Sequence, residues 1–162
     1  MVSLLLISLA LSAEPPGPTF QCSSNTPDLE FPTWEETEEQ VKVALWAGQP
    51  PIIMHNSGRY RWSDQACVLG RAAYVHYGFD TSEHLARLWI VYGINGLTPA
   101  PSTEDIRVIR TALEKRLGKP QRVADASGTT WSWKTSEVEA TLVLGRLRGE
   151  PPSLQLVLSN PH

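Results

Sequence analysis

Cysteine, methionine and histidine are scarce in this chain of 162 residues: two, two and four. The scarcity excludes chemistry that needs such residues in clusters. No Cys-x-x-Cys and no His-Glu-x-x-His occurs, and no glycine-rich phosphate-binding loop is present. Basic charge is also short, with 14 Lys and Arg against 17 Asp and Glu and a net charge of −3. A general nucleic-acid binder gathers several cations on one face, so no nucleic-acid partner is expected. The apolar run at the start, Met1 to Ala13, has a hydrophobic stretch of about ten residues, half of what a membrane-spanning helix needs, so no transmembrane segment is expected in the mature chain.

What is present suits a globular protein. Hydrophobic residues make up 41% of the chain and charged residues 19%. At about 150 residues a domain buries roughly 68–70% of its unfolded surface, enough for a core without metals or several disulfides. Charge is unevenly placed: residues 1–39 hold seven acids and no Lys or Arg, leaving 14 bases against 10 acids in the remainder. Glu35, Glu36, Glu38 and Glu39 fall in the first turns of a predicted helix, where carboxylates complement the exposed N–H groups; the alternative reading is an acidic docking site.

Met1 to Ala13 reads as the apolar region of a signal peptide, ending in small residues, with a first buried strand or helix as the alternative. Residues 14–32 carry Pro15, Pro16, Gly17, Pro18, Pro27 and Pro32, an extended arm or linker that cannot join a regular ladder. Cys22 lies in that arm and Cys67 in a predicted strand; in an oxidising compartment they permit one disulfide, pinning the arm to the fold. The expected location is therefore exported, periplasmic or extracellular.

A repeat organises the rest. Gly48, Gln49 and Pro50 recur as Gly118, Lys119 and Pro120, and Ser57-Gly58 recurs as Ser127-Gly128, both at an offset of 70 residues. A helical pattern precedes each Gly-x-Pro, and a Trp-bearing segment with strand runs follows each Ser-Gly. The first helix is predicted from Thr33 or Thr37, both at capping-box spacing, to Gly48; the second runs from Ser102 or Thr103 to Leu117, with Ile106, Ile109, Leu113 and Leu117 on one stripe. Period-two alternation puts Ala73, Val75, Tyr77 and Phe79 on one strand face and Leu88, Ile90, Tyr92 and Ile94 on another. Val138, Ala140, Leu142 and Leu144 follow the same rule, as do Leu154, Leu156 and Leu158 beyond a turn at Gly149 to Pro152. The fold class expected is α+β, as two tandem helix-plus-antiparallel-sheet units from an internal duplication. The boundaries are 1–13 signal peptide, 14–32 arm, 33–97 first unit and 98–162 second unit.

Thr37, Val41, Leu45, Gly48 and Pro50 in the first unit, with Leu113, Leu117, Gly118, Pro120, Trp131 and Trp133 in the second, carry a resemblance. The pattern resembles the exported α-β-β-β modules of the BamE/SmpA outer-membrane assembly family, and the tandem pair resembles the β-lactamase inhibitory protein family. The resemblance implies architecture, and a fold alone assigns no function.

For catalysis, no nucleophile, base and orienting group assemble. His76, Asp80, Glu83 and His84 form the densest group of metal-ligand types, and a small metal-dependent enzyme using His76, Asp80 and His84 is the competing reading; an exposed strand histidine and a turn explain the same residues. No catalytic residue, metal or cofactor is assigned. Six tryptophans are many for this length. Tyr60 with Trp62, and Trp131 with Trp133, share strand faces and are the candidates for a partner-binding surface, packing against helices or between units being the alternative. Ser57, Gly58, Arg59 and Tyr60 resemble the Ser-Gly-x-x-Tyr loop of periplasmic lysozyme inhibitors, although a Ser-Gly turn entering a hairpin accounts for both copies. The expectation is thus an exported, non-enzymatic binding or scaffold protein of the bacterial cell envelope or secretome with a protein partner; an inhibitor of a secreted or wall-degrading enzyme is the alternative.

Overall fold

The computed structural model describes Cys22 and residues 32–46, 52–53, 62–93, 99–145 and 152–162. The expected signal peptide, the rest of the arm up to residue 31, the first Gly-x-Pro and Ser-Gly, Tyr60, and the turn at 149–151 lie outside the described residues.

Both helices start where capping chemistry puts them. Helix α1 spans Glu38–Trp46. Ahead of it, the Thr37 N–H donates to Gln40 Oε1 at 2.8 Å, and the Gln40 N–H donates to Thr37 Oγ1 at 3.4 Å. Helix α2 spans Thr103–Leu117, with Ser102 as its cap. The Asp105 N–H donates to Ser102 Oγ at 3.1 Å, and the Ser102 N–H donates to Asp105 Oδ2 at 2.8 Å. The helix ends at Gly118, whose φ of 84° lies in the region that glycine enters without strain.

The strands are β1 (Ile52–Ile53), β2 (Trp62–Val68), β3 (Arg71–Phe79), β4 (Leu85–Tyr92), β5 (Gln121–Asp125), β6 (Gly128–Lys134), β7 (Glu139–Gly145) and β8 (Ser153–Ser159). They form one antiparallel sheet in the order β1-β2-β3-β4-β8-β7-β6-β5. Seven are full strands, and β1 is a two-residue strand at one edge.

This overturns the expectation of two tandem helix-plus-sheet units. Strand β8 pairs with β4 over six residue pairs on one side and with β7 over seven on the other, so a full ladder crosses the supposed boundary. The physical reason is that alternation identifies the inward face of a strand and is silent about its neighbours. Leu154, Leu156 and Leu158 suit either β4 or β7, and the sheet uses both.

A single apolar cluster joins Val41 of α1 and Ile109 and Leu113 of α2 to the inward side chains of the sheet, among them Val75, Ile90, Leu142, Leu156 and Trp131. The alternation expected for β4, β7 and β8 is the observed one over the described residues, whereas β3 departs from it: Ala73 and Val75 are buried as expected, but Tyr74 and His76 on its other face are buried too, and Tyr77 and Phe79 are only partly buried. Helix α2 is fastened by an ion pair between Arg71 Nε, at the start of β3, and Asp105 Oδ1. Burial pushes the Asp105 carboxyl up, but the hydrogen bonds from Ser102 and the Arg71 guanidinium outweigh it and leave it below the usual carboxylate range.

The Cys22–Cys67 disulfide forms, with the Cα atoms 5.6 Å apart and the two cysteines 45 positions apart in sequence. Loop-closure entropy for that separation corresponds to about 4 kcal/mol. At the β5–β6 hairpin, Asp125 Oδ1 accepts from the Ser127 N–H at 2.8 Å and the Gly128 N–H at 3.2 Å. The second Ser-Gly is therefore a turn element. A Cβ on Gly128, where φ is 153°, would stand 2.0 Å from the Leu144 carbonyl oxygen, so only glycine fits there.

Candidate functional site

The ladders align side chains into rows across the sheet, and the rows sort the tryptophans. Trp133, Ala140, Leu158, Leu88, Tyr77 and Trp62 occupy one row. Trp131, Leu142, Leu156, Ile90 and Val75 occupy the next row on the same face. Both rows belong to the helix-covered side. Trp131 is 7% exposed and Trp133 4%.

An exposed aromatic face built on Trp131 and Trp133 is thereby corrected: these rings are core. Trp133 Nε1 donates to the Gly118 carbonyl at 2.8 Å, which ties the end of α2 to β6. Burial under the helix wins because each indole removes a large apolar area from water while its N–H still finds an acceptor. Tyr60 lies outside the described residues; of Trp62 the backbone alone is described, opposite Tyr77.

The opposite face has no helix of the described chain assigned to its rows. Ser132, Thr141, Val157, Trp89, His76 and Ser63 form one row, and Thr130, Val143, Gln155, Val91, Tyr74 and Gln65 form the next. Over β6, β7, β8 and β4 these side chains are half-buried; over β2 and β3, Ser63, Tyr74 and His76 are buried. Trp89 is the centre of this face. Its ring lies 4.8 Å from that of His76, tilted by 39°, and its Nε1 donates to Gln155 Oε1 at 3.1 Å. The Tyr74 ring continues the series 6.4 Å beyond His76, and its hydroxyl accepts from Gln65 Nε2 at 3.0 Å.

The face is therefore apolar in its rings and valines and polar at the tips, with the indole fixed by a ring contact on one side and an amide on the other. Burial lowers the basicity of His76, which favours the neutral ring beside Trp89. Such a surface can recognise; among the described residues it offers no paired acid and base.

Of the residues weighed as metal ligands, His76 stands on this face, whereas Asp80 and His84 belong to the β3–β4 turn. Asp80 Oδ1 accepts from the His84 N–H at 3.0 Å and the Ser82 N–H at 2.8 Å. The backbone donors of His84 and Ser82 hold the Asp80 carboxyl below its usual range. That carboxylate closes a turn. Among the described residues no group of three or more His, Cys, Asp and Glu converges on a cation position.

Trp89 and Gln155 escaped the sequence reading although a signal was available. Once Leu88, Ile90 and Tyr92 face inward, Trp89 must face outward, and an outward tryptophan on a central strand marks a surface worth testing. Among the described residues no helix is long and apolar enough to cross a membrane. Comparison of the chain with protein-family models, with curated protein sequences and with solved structures gives no match in any of the three.

Proposed function

We propose that this chain is an exported, non-enzymatic binding protein of the bacterial cell envelope or secretome, and that it binds a protein partner through the sheet face centred on Trp89. The observation that carries the reading is the half-buried Trp89 indole, held between His76 and Gln155 among Val91, Val143 and Val157. Tryptophan fixed before binding contributes large contact area and loses little freedom on association. The amides and hydroxyls beside it supply the hydrogen-bonding fringe that protein interfaces use. Export is supported by the Cys22–Cys67 disulfide, since such bonds persist in oxidising compartments.

The test begins with capture from the native envelope or secretome by the full chain, its disulfide intact. The captured protein is then purified and titrated calorimetrically against wild type, Trp89→Ala and, as a control on the far surface, Val43→Thr. The expected result is a loss of about tenfold or more in affinity for Trp89→Ala, the range of an interface anchor, with the control unchanged. Equal affinity of a folded Trp89→Ala protein would reject this face.

A further inference from the structure

The sheet ends at β5, and this edge differs from the face around Trp89 in both geometry and charge. All five residues of Gln121–Asp125 are exposed, Val123 to 66%. Among the described residues strand β5 pairs only with β6, so every second residue directs its backbone N–H and C=O away from the described sheet. Two hollows flank this edge. One, of about 620 Å³, is lined by Arg110, Glu114, Lys119, Arg122 and Trp131. The other, of about 470 Å³, is lined by Leu117, Lys119, Gln121, Trp133, Lys134 and Glu139 among others.

Arg122 and Trp131 are register partners in a row of the covered face, whereas Gln121 and Ser132 are partners in a row of the open face. The two hollows share Lys119, and between them they take in residues of both faces beside β5. Successive side chains of an added strand would alternate between the side of Arg122 and the side of Gln121. Charge selects what such a strand would carry. Arg110 pairs with Glu114 at 3.3 Å, and Lys134 pairs with Glu139. Among the described residues Lys119 and Arg122 make no ion pair. A chain of net charge −3 therefore places two uncommitted cations at its open edge.

We propose that β5 is a docking site for an extended, acidic peptide segment of a protein partner, which adds to the sheet as a further strand. Backbone hydrogen bonds to β5 provide the attachment. Carboxylates at alternate positions of the segment meet Lys119 and Arg122, and so favour acidic sequences over neutral or basic ones. A second copy of this chain fits less well. Antiparallel self-pairing centred on Val123 sets Arg122 of each copy opposite Ala124 of the other, leaving the two guanidinium groups as diagonal neighbours on one face; centring on Arg122 sets them directly opposite.

The test is fluorescence anisotropy of the full, disulfide-intact chain with a labelled heptapeptide of alternating Glu and Val. Two probes accompany it: the same peptide N-methylated at alternate backbone nitrogens, and a Lys–Val counterpart. The Glu–Val peptide is expected to bind saturably and more weakly as salt rises, and both altered peptides to bind at least about tenfold more weakly. The double variant Lys119→Glu with Arg122→Glu is expected to lose binding to a similar extent, with its circular dichroism and unfolding midpoint unchanged because both residues are exposed. Trp89→Ala should bind the Glu–Val peptide like wild type, which separates this edge from the face around Trp89. Absence of saturable binding overturns the proposal. So does equal binding of the N-methylated or Lys–Val peptide, or sedimentation showing a dimer that Arg122→Glu dissociates.

Discussion

Strand β8 serves two surfaces of opposite character. On the helix-covered side, Leu154, Leu156 and Leu158 are at most 1% exposed. One residue along, Gln155 and Val157 remain half-buried on the other side, beside Trp89. The backbone and the pairing are the same for both sets, so the contrast isolates what covering by helices does. On the covered side each buried leucine contributes about 2 kcal/mol through area removed from water. On the open side, Gln155 spends its amide on the Trp89 indole, and the valines keep apolar area in reach of solvent. Buried apolar area is concentrated in one set of rows, and the half-buried polar and aromatic groups lie in the other.

That contrast can be broken by mutation, and the largest effect is expected in the core. Leu156→Ala should cost about 2–5 kcal/mol of unfolding free energy, while Val157→Ala on the neighbouring position should cost about 1 kcal/mol or less. Denaturant unfolding followed by circular dichroism measures both, and similar costs would mean that the second face is covered as well. Reduction, or Cys22→Ser with Cys67→Ser, should lower stability by about 2–4 kcal/mol through the 45-residue separation. A loss well under 1 kcal/mol in thermal or denaturant unfolding would mean that the bond serves only to locate the arm.

Trp89→Ala should cost only about 1 kcal/mol of stability while weakening a protein partner by tenfold or more. The reverse pattern would move Trp89 to the core side of the comparison.

The smallest effect is the pH dependence attached to His76. Burial holds its basicity below the ordinary value of 6.5, so as pH falls the unfolded chain takes up this proton before the folded chain does. Its contribution is fully present above 6.5 and is lost as the pH drops through the lowered folded value. The depressed carboxylates, whose ordinary values are 3.8 and 4.5, act lower still, which leaves the interval above them to histidine. Unfolding midpoints of wild type should therefore decline between about pH 7 and pH 5, and His76→Gln should flatten that decline. An identical slope in the variant would remove His76 as the cause.

Local rules carried much of the secondary structure. Ser102 with Ile109, Leu113 and Leu117 placed α2, and alternation placed the inward faces of β4, β7 and β8. The pairing of Cys22 with Cys67 was available from counting two cysteines. The candidate site was less legible. Trp131 and Trp133 sat correctly on one face of one strand, but nothing in a strand's own sequence says whether a helix lies over that face. The answer depended on α2, whose Ile109 and Leu113 need a partner surface and whose terminal Gly118 carbonyl takes the Trp133 N–H.

The sequence by itself determined where the helices begin, which residues of each strand point together, and which cysteines can join, because these follow from hydrogen bonding and periodicity within a few residues or from composition. Only the tertiary structure decided that β8 lies between β4 and β7, that the sheet is continuous, and which of its faces the helices cover. Those choices are made by contacts between segments far apart in the chain, where the deciding quantity is the total apolar area removed from water, and no single segment encodes it.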